Sequence, residues 1–244
     1  MVDELLDSLE PYWEEVDGII ENDLKPVVPP KYFKHFEACQ FKLKALWYLR
    51  SRVSELDEKY GQLVDSFLAR ENFSRFTPED DSSWSYFPYF EALEFESLLS
   101  QGKACLDCFS KAVGSAFGDL PNNLSRLIAV LRKKREGGMA GIASDLLNKV
   151  TAAETRLKGI VLDPDRQGKK SIRDLISHRE RASIHFRISR TGRTNFALVR
   201  RDHPELVKLP YYRVTVLSDR VWYQTHKLIA ECFPIFLRRG GIWS

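Results

Sequence analysis

Residues 169–186 read KKSIRDLISHRERASIHF and hold two of the chain's five histidines. Arginine carries a permanent, fork-shaped charge that clamps phosphate. Histidine is the side chain whose ordinary pKa suits proton transfer near neutrality. Arg173 and His178 sit five residues apart in this basic stretch, a pairing suited to binding or cleaving an RNA phosphodiester. RNA supplies its own nucleophile, the 2′-hydroxyl, so such chemistry requires no metal. His178 would act as general base or acid, while Arg173 stabilises charge on the phosphate. An ideal helix turns by about 500° over five residues, which starts the two side chains about 140° apart. The length of the arginine has to close that gap. The alternative is structural: an arginine salt-bridged near a helix start and a buried, hydrogen-bonded histidine.

The neighbouring residues extend the site. Ser171, followed three residues later by Asp174, forms a capping-box-like start, which predicts a helix from about Ile172. Asp174 complements the helix dipole there and is placed to orient Arg173. Ser177 and Arg179 flank His178, and Arg179 suits a second phosphate contact. His185 falls in a stretch of alternating apolar and polar residues, from which it either joins the site or faces solvent.

Arg173, the polar Asp174, three further residues and His178 spell R-D-L-I-S-H. This resembles the R-x4–6-H motif of the HEPN superfamily, all-α domains that include many metal-independent ribonucleases of defence and toxin systems. The R-x4–6-H pattern is also met, one residue longer, at Arg179/His185 and Arg220/His226, but a polar residue follows the arginine only in the first two of the three pairs. The resemblance implies catalysis by Arg173 and His178, with Asp174, Ser177, Arg179 and His185 as substrate contacts. It also implies no cofactor or metal, a homodimer that brings two motifs together, and an antitoxin or other protein as partner. A non-catalytic RNA- or nucleotide-binding module, or a protein-interaction module, on the same framework is the alternative.

Charge along the chain fits a polyanion partner. Residues 1–120 carry 12 basic and 23 acidic side chains, whereas residues 121–244 carry 25 and 11. Between residues 166 and 201 there are 11 basic and 2 acidic side chains. A basic face of this kind attracts nucleic acid; the competing reading is that the two halves neutralise each other. No apolar run approaches a membrane span, the acidic start MVDELLDSLE lacks a signal-peptide core, and four unframed cysteines suit a reducing cytosol. The expected location is therefore cytoplasmic. Cys105 and Cys108 form a C-x-x-C with no second pair, which reads as core packing rather than as a zinc or redox site.

Positioning these residues requires a mainly all-α chain. Apolar residues at three- and four-residue spacing predict helices over 2–24, 32–69, 87–117, 121–136 and 139–161, with a last one from Ser218 to Leu237. Residues 25–31 (KPVVPPK) read as an extended connector and residues 72–86 as a loop. The aromatic run from Trp84 to Phe90 reads as core, with a base-stacking platform as the alternative. Alternation around Thr191-Gly192-Arg193 predicts a β-hairpin, with residues 212–217 as a third strand. The expectation is a single 1–244 domain, a HEPN-like up-down bundle of five or six helices. Residues 1–31 form an N-terminal segment with its Pro-rich connector, and 182–217 form a β-hairpin insertion before the last helix.

Overall fold

The computed structural model describes residues 15–68, 83–136, 140–163, 171–174, 184–188, 194–198 and 214–237. These residues are mainly α-helical. A π-helical segment, Ile19–Leu24, precedes α1 (Pro30–Leu68), α2 (Ser83–Ser115), α3 (Leu124–Lys134) and α4 (Ala140–Leu157). Strands β1 (Ile184–Ile188) and β2 (Thr194–Leu198) pair antiparallel, Ile184 opposite Leu198 and Phe186 opposite Phe196, and α5 (Val214–Leu237) follows. Among the described residues no helix is long and apolar enough to cross a membrane.

The chain divides into two compact units, and the division falls within α1, α2 and α5. The first comprises Met1–Leu46, Gln101–Lys158 and Tyr223–Ser244; the second comprises Trp47–Ser100 and Gly159–Trp222. An aromatic cluster centres the first unit. Phe233 packs on Phe36 at 4.9 Å between ring centroids and stacks on Phe109 at 5.9 Å, and all three rings are fully buried. Truncating a buried Phe to Ala costs about 3–5 kcal/mol, so this cluster dominates the unit's stability. The second unit has its own core in Val53, Leu56, Phe95, Leu98, Ile172 and Val221.

The chain enters α3 through a tightly specified turn. Gly118 adopts φ 72°, Asp119 donates its N–H to the Gly114 carbonyl, and Gly118 donates to Ser115, the pattern of a Schellman cap. A Cβ on Gly114 would lie 2.2 Å from Cδ of Pro121, so only glycine lets the returning chain sit this close. The side chain of Asn123 then caps α3 by accepting the Arg126 N–H at 2.9 Å. That cap sets the helix start at Leu124 rather than at Pro121, because the amide oxygen, not the fixed proline φ, satisfies the first-turn donors.

Several other expectations are corrected. Within 25–31, expected as an extended connector, residues 25–28 form a tight turn with the Val27 and Val28 N–H groups both on the Leu24 carbonyl, and α1 has already begun at Pro30. Residues 83–86, expected in a loop, already belong to α2, and α4 ends at Leu157 rather than at 161. Residues 214–217 are helical, not a strand. Val214, Leu217 and Val221 are buried at helical spacing, and this packing overrides the β-propensity of Val-Thr-Val. Ser218 accordingly is no cap; its hydroxyl donates to the Val214 carbonyl from inside the helix. Tyr89 and Phe90, expected in the core, are exposed and meet each other edge to face at 5.8 Å.

Candidate functional site

The basic motif starts from a closed turn after α4. Gly159 adopts φ 80°, and its N–H donates to the Leu162 carbonyl at 2.8 Å. The carbonyls of Gly159 and Ile160 then accept the N–H groups of Ile172 and Arg173 at 2.9 and 3.0 Å. The Asp163 carboxylate accepts the Ser171 N–H at 2.9 Å, and the Ser171 hydroxyl accepts the Asp174 N–H at 3.2 Å. Residues 172–174 are helical. The serine half of the expected capping box is therefore present, while Asp163 takes the place expected of the Asp174 carboxylate.

A helix start with open amides is a ready-made anion site. Here the donors from Ser171 to Asp174 are all used within the protein, so anion binding falls to side chains. Asp174 instead meets Arg173: Nη2 of the guanidinium lies 2.7 Å from Oδ1. Arg173 is about one-fifth exposed, and its buried Nε has no hydrogen-bond partner among the described residues. Buried donors are rarely left unmet, so this guanidinium pairs Nη2 with a carboxylate beside an uncompensated Nε.

The structure thus brings Arg173 and Asp174 together. His178, Ser177 and Arg179 lie outside the described residues. His185 lies in β1, opposite Ala197. The other R-x5-H pair on a described helix, Arg220 and His226 on α5, has an exposed arginine and a buried histidine.

A second ionisable feature of the same unit escaped the motif reading. Glu91 on α2 is wholly buried, and among the described residues neither carboxyl oxygen has a hydrogen-bond partner. Burial, reinforced by Asp57, pushes its pKa up to about 8. The carboxyl is therefore mostly neutral at physiological pH. Burial beside Glu91 likewise raises the Tyr60 phenol to about 12. A signal existed in the sequence: Glu91, Phe95 and Leu98 share one helical face, so the acid occupies a position of the apolar stripe.

In the first unit, the C-x-x-C expectation of core packing holds for Cys105, while Cys108 is half-buried. Cys105 is buried and its thiol reaches the Cys39 carbonyl at 3.7 Å. Burial holds the Cys39 thiol well above its ordinary pKa, as it does that of Cys232, so neither is an activated thiolate. Among the described residues no group of three or more His, Cys, Asp or Glu is placed to hold a metal ion.

No family model, no curated protein and no solved structure matches the chain. The HEPN resemblance rests on the motif residues themselves.

Proposed function

We propose that this chain is a metal-independent endoribonuclease of HEPN type, an up-down helical bundle with a β-hairpin insertion, acting in the cytoplasm as a toxin or phage-defence effector. The observation that carries the reading is the Arg173 guanidinium. Asp174 fixes its Nη2, on a turn whose backbone donors are all satisfied, and its buried Nε has no partner among the described residues. A guanidinium held in this way needs little further ordering to receive a phosphate. His178 would take the proton of the 2′-hydroxyl or return one to the leaving 5′-oxygen, as Arg173 stabilises the charged phosphorane. Asp174 orients Arg173; Ser177, Arg179 and His185 contact the substrate. A homodimer would supply a second motif across the same RNA, and an antitoxin or other protein partner would restrain it.

The same ion pair favours a second reading, a non-catalytic RNA- or nucleotide-binding or protein-interaction module. Arg173 with Asp174 is also how a capped turn neutralises its own charge. Incubation of mixed RNA with the protein in excess chelator, wild type beside His178→Ala, separates the two. Cleavage that disappears in a folded His178→Ala protein supports the nuclease. Equal cleavage by both proteins overturns the role of His178, and cleavage by neither leaves the binding module as the function.

A further inference from the structure

A strongly basic run lies in the first unit, remote in sequence from the R-x4-H motif. α3 is amphipathic: Leu124, Leu127, Ile128 and Leu131 are buried, and the opposite face carries no acid. Its last turn and cap place Arg132, Lys133, Lys134 and Arg135 in succession. Cations at a helix C-terminus complement the dipole, which accounts for their tolerance there but gives them no partner. Among the described residues none of the four makes an ion pair or side-chain hydrogen bond, and Arg132, Lys133 and Arg135 are exposed.

Arg132 and Arg135, one turn apart, line a groove of about 460 Å³ whose other wall is α4. That wall presents Asn148, Thr151 and Thr155 at helical spacing; the first two can donate to oxygen atoms, while the Thr155 hydroxyl donates to the Thr151 carbonyl at 2.9 Å and is left as an acceptor. No carboxylate lines the groove among the described residues. Glu154, the acid nearest in sequence on α4, is engaged by Ser125 and Lys158. The neighbouring groove of about 270 Å³, on the α5 side of α4, is the contrast. Its cations Lys149 and Lys227 both face Glu231, at 2.9 and 3.7 Å, and Arg156 donates to the Gln224 side-chain oxygen at 3.0 Å, so each cation there already has a partner within the protein.

We infer that the α3–α4 groove is a docking tract for the phosphate backbone of single-stranded RNA, separate from the Arg173 motif. The choice of RNA rests on the reading under Proposed function; the choice of a polyanion rests on the groove itself. Guanidinia at one-turn spacing take successive phosphates, and the neutral ridge offers donors and acceptors to phosphate oxygens and 2′-hydroxyls. A groove of about 460 Å³ can admit part of a single strand, whereas a stiff duplex can only lie across it.

The test is fluorescence anisotropy with labelled oligouridine in chelator over a salt series. It compares His178→Ala protein with the same protein also carrying Arg132→Ala and Arg135→Ala. Both arginines are exposed, and circular dichroism melting checks that the fold is retained. The expected result is at least about a tenfold loss of affinity, with the slope of log K against log salt flattened by about 1.4, two contacts at about 0.7 each for a single strand. Unchanged affinity and slope overturn the tract even if the protein binds RNA, as does an equal loss for a duplex of the same length. Tighter binding to polyglutamate than to oligouridine overturns it in favour of an acidic protein partner. Absence of any oligonucleotide binding overturns it as well. The nuclease reading is judged separately, by cleavage that depends on His178.

Discussion

Arginine is used in two opposite ways in this chain. Arg173 is largely buried, tied to Asp174 at 2.7 Å, and mounted on a turn with every backbone donor from Ser171 to Asp174 satisfied. Arg132 and Arg135 stand in solvent, unpaired among the described residues, on the last turn of a helix. A guanidinium fixed before binding loses little entropy when it meets its ligand and can be aimed at one atom. An unpaired surface guanidinium is disordered but keeps its full charge, and it acts by releasing counterions from a polyanion. The first arrangement suits chemistry at one phosphate, the second suits capture of a chain of them.

Substitution at the first site tests that contrast most severely. Arg173→Ala should lower RNA cleavage in chelator by about 10²-fold or more, with oligouridine affinity changed less than about threefold. Arg132→Ala with Arg135→Ala should do the reverse, raising KM while leaving kcat intact. If Arg173→Ala lost affinity and cleavage in equal measure, the two arginine sites would be doing the same work, and the contrast would fail.

The next largest effect is on stability, and it lies in Glu91, the buried acid of the unit that holds Arg173. Its folded pKa of about 8 is above the ordinary 4.5, so the folded state holds the proton more tightly. Stability from this group is greatest at about pH 4.5 and below. It falls as the pH rises toward 8 and is lowest above that. Glu91→Gln keeps the shape and removes the titration. The variant should melt at nearly the wild-type temperature at about pH 5 and several degrees higher above about pH 8. Parallel melting curves across that range would show that the carboxyl does not titrate as its burial requires.

How far these features could be read in advance follows from the same residues. Apolar spacing gave most of the helices because burial of one face is what makes a helix in a protein. It misassigned Val214 to Leu217 because β-branched residues suit strands locally, and only packing partners remote in sequence make them helical. Arg173, Asp174 and the serine cap were legible because capping is a local interaction, written in adjacent residues. The replacement of Asp174 by Asp163 as acceptor for the Ser171 N–H was not, since it depends on the chain folding back through Gly159. The α3 basic run was visible as composition. Its lack of carboxylate partners was not, because pairing depends on which helix faces it.

Ser171→Ala probes the capped turn directly. Removing the hydroxyl that accepts the Asp174 N–H should cost about 1 kcal/mol, seen in denaturant melts. It should also reduce cleavage more than it reduces RNA affinity, because Arg173 loses its fixed mount. A stability loss with unchanged cleavage would mean that the position of Arg173 does not matter to the chemistry.

The smallest effect is also the most discriminating for the basic groove. Glu231 faces Lys149 and Lys227 together, so Glu231→Gln should free two cations on the α5 side of α4 without adding any charge of its own. Exposed pairs of this kind are worth about 0.2–1 kcal/mol, so melting should move little. If free cations, rather than the particular shape of the α3–α4 groove, govern RNA capture, the variant should bind oligouridine about two- to fivefold more tightly. Its salt slope should steepen by up to about 0.7 for each phosphate newly met. If affinity and slope stay as in the wild type while Arg132→Ala with Arg135→Ala still weakens binding, then charge alone is not what RNA reads. The neutral ridge of Asn148, Thr151 and Thr155 would then have to supply the difference.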